Sequence, residues 1–211
     1  MPLFTEYNID PFTSLFVWEI TEDETFFLQR ITLFVEESGK LERIKNPDKK
    51  KQWLSIRLML SQYMAKQKHN GFIYYNSEGK PFLSTGQHVS ISHTTDFSAL
   101  IISDNKKVGL DIEKISERIL KVKDRMTSSV ERDKYGDNII QLTSVWAAKE
   151  CVVKLFDQRS ISFENDINVM IDNDEDTCFN TKATVNKATK ILTTNRLFLK
   201  DHVLVYVTDF V

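Results

Sequence analysis

Two short runs hold residues able to do chemistry together. The first, VGLDIE at 108–113, places Asp111 and Glu113 on what reads as an apolar, β-branched strand. A strand repeats every two residues, so both carboxylates stand on one face. Two acids side by side repel unless water or a cation lies between them. The second run, WAAKECVVK at 146–154, reads as part of a helix over 138–157 with an apolar face of Val145, Ala148, Val152 and Phe156. Lys149 falls inside that face, whereas Glu150 and Lys154 fall at its edge, one turn apart. A lysine on the core side requires an anionic partner. Taken singly, Glu150 and Lys154 are a solvent-facing pair worth a few tenths of a kcal/mol, and Asp111 and Glu113 an exposed strand face. Taken together, three carboxylates and two ammonium groups have the composition of a Mg²⁺-phosphate site.

These residues need elements to hold them. Residues 14–20 read as a strand, and Thr21 with Glu24 forms the pattern of a capping box opening a helix to about Leu33. Pro47 and Asp48 start a second helix, to about Lys66, with Trp53, Arg57, Leu60 and Met64 in one stripe. Arg57 in that stripe either snorkels to water or holds a buried anion. An aromatic strand at 72–75 and a turn lead into GKPFL at 79–83, where glycine and proline fix the backbone around Lys80. HVSISH at 88–93, with Ser92 and His93 at its end, and FSALII at 97–102 read as strands leading to VGLDIE. Residues 115–126 have the pattern of a short amphipathic helix, and 127–136 are polar and poorly patterned. After the second run the chain reads as a meander of strands at 166–171, 178–185, 190–199 and 203–207, with the acidic run 172–176 as a solvated hairpin tip. The elements together give an α+β class.

Composition narrows the function. The chain has 211 residues, 41% apolar and 27% charged, which suits a globular protein with its own core. A net charge of -2 gives no reason to expect a nucleic-acid partner. Cys151 and Cys178 have no second pair with which to make a zinc site, and no histidine stands in a pattern that would activate Cys151. The N-terminal residues lack the pattern of a signal peptide and no apolar run is long enough to span a membrane, so the cytoplasm is the expected location.

GLDIE followed by W-A-A-K-E-x-x-x-K resembles the signature of the 4'-phosphopantetheinyl transferases. The motif spacing and chain length resemble the two-halved, Sfp-like branch rather than the short trimeric holo-acyl-carrier-protein synthases. The likeness extends to WLSIR at 53–57, GKPFL at 79–83 and SISH at 90–93. It implies two similar halves packed as a pseudo-dimer, each with helices against an antiparallel sheet, over residues 1–106 and 107–211, with the site between them in a monomer. It implies that Asp111, Glu113 and Glu150 bind Mg²⁺, and that Lys149 and Lys154 hold the phosphates of coenzyme A. Arg57, Lys80, Ser92 and His93 are then placed at the nucleotide end with its 3'-phosphate. The reaction implied is transfer of 4'-phosphopantetheine from coenzyme A to a serine of an acyl or peptidyl carrier protein, leaving adenosine 3',5'-bisphosphate. Glu150 is then either the proton acceptor or only a metal ligand, and Lys154 the other catalytic group. Two departures stand out: Ala147 where serine is common, and Met126 where many relatives place phenylalanine. The alternatives are a coenzyme A or carrier-protein binder without turnover, and a Mg²⁺-dependent phosphohydrolase.

Overall fold

A computed structural model describes residues 4–158 and 160–210. Contacts divide the chain into two compact units, Met1–Asn105 and Lys106–Val211. Each sets helices against antiparallel strands, so the class is α+β.

The first unit opens with the hairpin β1 (Phe4–Asp10) and β2 (Thr13–Glu19), followed by α1 (Glu24–Leu28), α2 (Val35–Arg43) and the long α3 (Pro47–Gln67). A small hairpin, β3 (Ile73–Tyr75) and β4 (Pro81–Leu83), precedes β5 (His88–His93) and β6 (Phe97–Ser103), and the main sheet runs β1-β2-β6-β5. The helix expected to reach Leu33 stops at Leu28. Its cap is Asp23, which accepts from the Phe26 amide at 2.8 Å, and Arg30 Nη1 takes the Phe26 carbonyl that a further turn would use. The intact prediction is α3: Asn46 accepts from the Lys49 amide at 3.0 Å, Pro47 needs no partner in the first turn, and Lys68 leaves in the left-handed region. Leu54, Leu58 and Met59 of α3 close the core over Phe16, Trp18, Leu100 and Ile102 of the sheet.

The second unit begins with β7 (Lys106–Lys114) and continues through a 3₁₀ turn (Glu117–Lys121), α4 (Lys123–Met126), α5 (Ser129–Tyr135) and α6 (Ile139–Phe156). The strands β8 (Ile167–Met170), β9 (Cys178–Val185), β10 (Ala188–Leu199) and β11 (His202–Phe210) form the expected meander, and the sheet runs β7-β11-β10-β9-β8. One amphipathic helix over 115–126 is replaced by the two short pieces, and the unpatterned 127–136 contains a real helix. Its inward residues, Glu131 and Tyr135, are polar, which removes the apolar periodicity on which pattern reading relies. The acidic tip at 172–176 leaves Asp172 and Glu175 exposed, while Asp174 accepts from Asn138 Nδ2 and Asp176 from the amides of Asp172 and Asn173, and its backbone is anchored. The fully buried Arg196 donates to the carbonyls of Asn173, Asp174 and Asp176 and to Ser144 Oγ.

The units share a connectivity that no sequence repeat announces. In each, a strand leads into helices, and the last returning strand pairs antiparallel with the strand that preceded them: β6 with β2, and β11 with β7.

Candidate functional site

The strand β7 and helix α6 bring the two chemical runs together. Helix α6 packs on β7 and β11 through Val145, Ala148, Cys151 and Val152. Its start is fixed by Asn138 Oδ1, which accepts from the amides of Ile140 and Gln141 at 3.0 and 3.1 Å. On that frame Lys154 Nζ lies 2.7 Å from Asp111 Oδ1 and 2.8 Å from the Leu110 carbonyl. Asp111 is buried and Glu113, on the same strand face, accepts from Trp146 Nε1 at 3.0 Å. Trp146 is braced edge-on by Phe163 and, with Glu113, borders a hollow of about 610 Å³ over Ile119 and Val122.

The carboxylates feel one another. Burial pushes Glu113 up to about 7; the charges of Asp111 and Glu150 add to this, and the Trp146 hydrogen bond and Lys154 oppose it. Burial, then Asp111, also raises Glu150. Burial lowers the Lys154 ammonium, but the Asp111 charge and hydrogen bond outweigh it and hold the pKa above the ordinary value. Lys154 therefore stays charged at neutral pH. Asp111, Glu113, Glu150 and Lys154 thus form one electrostatic group.

Lys149 stands apart from that group. It is fully buried, and its ammonium donates to Glu131 Oε2 at 2.6 Å, the Met126 carbonyl at 2.8 Å and the Phe163 carbonyl at 2.7 Å. Three donors meet three acceptors inside the protein, so this geometry leaves none for the phosphate expected of it. The anionic partner that its core-side position requires is Glu131. Glu131 also closes the capping box of α5 on Ser128 and accepts from the Val169 amide at 2.8 Å. Pattern reading passed over Glu131, although the S-x-x-E spacing of Ser128 and Glu131 was there to find.

In the first unit, Arg57 is likewise turned inward. It is buried, pairs with the buried Glu37 at 3.3 Å and stacks its guanidinium 3.7 Å over the Trp53 ring. Glu37 is thus the anion that the stripe called for, and no ligand is needed to explain it. Lys80 follows Gly79, whose φ of 84° requires glycine, and its backbone is tied to Asn76. Ser92 is buried and His93 exposed at the end of β5. Cys151 is fully buried with Sγ 3.0 Å from the Val205 carbonyl, and burial pushes its thiol well up, which removes it as a nucleophile.

Comparison with known proteins bears on this arrangement. The chain is 29% identical over 106 residues to the 4'-phosphopantetheinyl transferase gsp of Aneurinibacillus migulanus, covering 48% of this chain and 44% of that protein. It is 28% identical over 113 residues to the 4'-phosphopantetheinyl transferase AcpT of Salmonella typhimurium, covering 48% and 56%, and equally so to that of Salmonella typhi. Over this stretch the chain is similar to 4'-phosphopantetheinyl transferases. The similarity suggests their superfamily. The chain spans about half the length of the curated relatives it matches. No family model matches it. Among the described residues, no helix is long and apolar enough to cross a membrane.

Proposed function

We propose that this chain transfers the 4'-phosphopantetheine group of coenzyme A to a serine hydroxyl of an acyl or peptidyl carrier protein, releasing adenosine 3',5'-bisphosphate. The observation that carries the reading is the convergence of Asp111 and Glu113 with Lys154 and Glu150 across the β7–α6 contact, in a chain similar to transferases of this name. The reading takes the protein as an Sfp-like single chain acting in the cytoplasm.

Asp111, Glu113 and Glu150 offer hard oxygen donors, and the charges of Asp111 and Glu150 raise the proton affinity of Glu113 as that of Asp111 raises Glu150, the mark of carboxylates suited to a divalent cation. Asp111 accepts from Lys154 and Glu113 from Trp146. Mg²⁺, when bound by these three, would neutralise charge on the diphosphate. Lys154, charged at neutral pH, faces the diphosphate as the departing bisphosphate gathers charge. Glu150, made more basic by burial and Asp111, takes the proton of the attacking serine hydroxyl. Lys80, Ser92 and His93 are assigned to the nucleotide end, while Lys149 and Arg57 serve the fold.

Mass spectrometry tests the proposal. Apo carrier proteins of fatty-acid, polyketide and peptide type, incubated with the protein, coenzyme A and Mg²⁺, should include one that gains a single phosphopantetheine. No gain on any of them would overturn the reading. Release of phosphate from nucleotides without a carrier would identify a phosphohydrolase instead.

A further inference from the structure

The GLDIE run contains one residue whose role is spatial. A Cβ built on Gly109 would overlap the carbonyl oxygen of Cys151 and stand 2.9 Å from its carbonyl carbon and 3.2 Å from its Cα. All three atoms belong to helix backbone, so no rotamer change relieves the overlap. Backbone conformation is not the reason for this glycine, because Gly79, Gly86 and Gly136 have positive φ and Gly109 does not. The requirement is room.

The place of this close approach matters. Gly109 lies two residues before Asp111 and four before Glu113, on the strand face they share. Cys151 follows Glu150 directly and precedes Lys154 by three residues. This close approach of β7 and α6 therefore adjoins the carboxylates of the strand and the charged residues of the helix. The helix is also held from elsewhere: Lys149 ties it to Glu131 and to the carbonyls of Met126 and Phe163, and Cys151 Sγ ties it to β11 at Val205. With α6 so anchored, a side chain at 109 would have to displace β7 or tear those ties.

We infer that Gly109 is a positioning residue, which sets the separation of β7 and α6 so that carboxylates from both elements act on one divalent cation with Lys154 against Asp111. The inference rests on the proposed Mg²⁺ site, and two measurements separate the failures. Calorimetric titration with Mg²⁺ reads the site without turnover. A double-mutant cycle of Asp111→Asn and Lys154→Met, in the parent and in the Gly109→Ala background, reads the strand–helix spacing without any metal.

Folded Gly109→Ala is expected to bind Mg²⁺ at least tenfold more weakly and to lose the Asp111–Lys154 coupling. Gly71→Ala is the control for a crowded glycine elsewhere, since its Cβ would meet only the side-chain ends of Met64 and Thr85. It should lose stability with unchanged Mg²⁺ affinity. Should Gly109→Ala fail to fold, Cys151→Ala is added to it, which removes the Sγ tie of α6 to Val205 and lets the helix recede; the double variant is expected to lose Mg²⁺ affinity and the coupling in the same direction, and one that keeps both overturns the inference. The inference is overturned if the folded variant keeps Mg²⁺ affinity within twofold and the coupling intact. If the parent itself does not bind Mg²⁺, the metal reading fails, and retention or loss of the coupling alone decides whether Gly109 sets the spacing.

Discussion

At the scale of single residues, the charged groups divide by what satisfies them. Lys149 and Glu131 form a pair almost without solvent contact, and burial, partly offset by Glu131, lowers the lysine's pKa. Lys149→Met strands the Glu131 charge and is expected to cost about 3–5 kcal/mol of stability, as measured by urea denaturation. Adding Glu131→Leu should recover only part, because Glu131 also serves Val169 and the start of α5. Equal stability of Lys149→Met and the parent would deny the lysine its structural role. Glu113 gives a different signature. Its carboxyl titrates near 7 in the folded protein against 4.5 as the ordinary value, so between these the folded state holds more protons than the unfolded. Its contribution to stability is therefore fully present below about pH 4.5 and is lost as pH rises through about 7. Glu113→Gln keeps an oxygen for Trp146 and removes the titration. In metal-free buffer the variant should gain stability relative to the parent as pH rises through that window, and a pH-independent difference would contradict the assignment.

At the scale of elements, α5 shows how a short polar helix earns its place. Its Glu131 and Tyr135, one turn apart, meet the outer edge of β8: Glu131 accepts from the Val169 amide, and Tyr135 donates to the Val169 carbonyl at 2.7 Å and accepts from the Ile171 amide at 2.9 Å. Side chains thus stand where a further strand would pair, which protects an exposed edge from association. Tyr135→Phe removes both tyrosine bonds while keeping the ring. It should cost about 1–3 kcal/mol and speed hydrogen exchange at Ile171. Unchanged exchange there would mean that α5 does not guard the edge. Ser128→Ala, which removes the cap and the Asn168 contact but keeps the Glu131 and Tyr135 bonds to the edge, should cost about 1 kcal/mol.

At the scale of the whole molecule, the proposed reaction divides binding from turnover between residues far apart in the chain. Dephospho-coenzyme A should be the poorer substrate chiefly through KM, since each charge-assisted bond to a partly buried phosphate is worth about 1.5–3 kcal/mol, or roughly tenfold to more than a hundredfold in affinity. Lys80→Ala should narrow the difference, because a contact already lost cannot be lost again. Glu150→Gln should instead lower kcat more than it weakens coenzyme A binding, as it keeps an oxygen ligand but cannot accept a proton. Equal KM values for the two substrates would remove Lys80 and His93 from the nucleotide end.

The sequence alone determined the elements whose periodicity and end signals agree: α3 from Pro47 and Asp48, α6 from its apolar face, and the strands of the meander. It also paired Asp111 with Glu113, since a period of two is a local property of the chain. Only the tertiary structure decided where the charges went. Lys149 and Arg57 read as ligands of an anion, and the anions are Glu131 and Glu37, 18 and 20 residues away in sequence. A side chain's charge states what kind of partner it requires, but not which of the available partners the fold will bring within reach. Gly109 makes the same point in packing: the letter G records freedom, and the carbonyl of Cys151, 42 positions on, shows that room for α6 was what the position required.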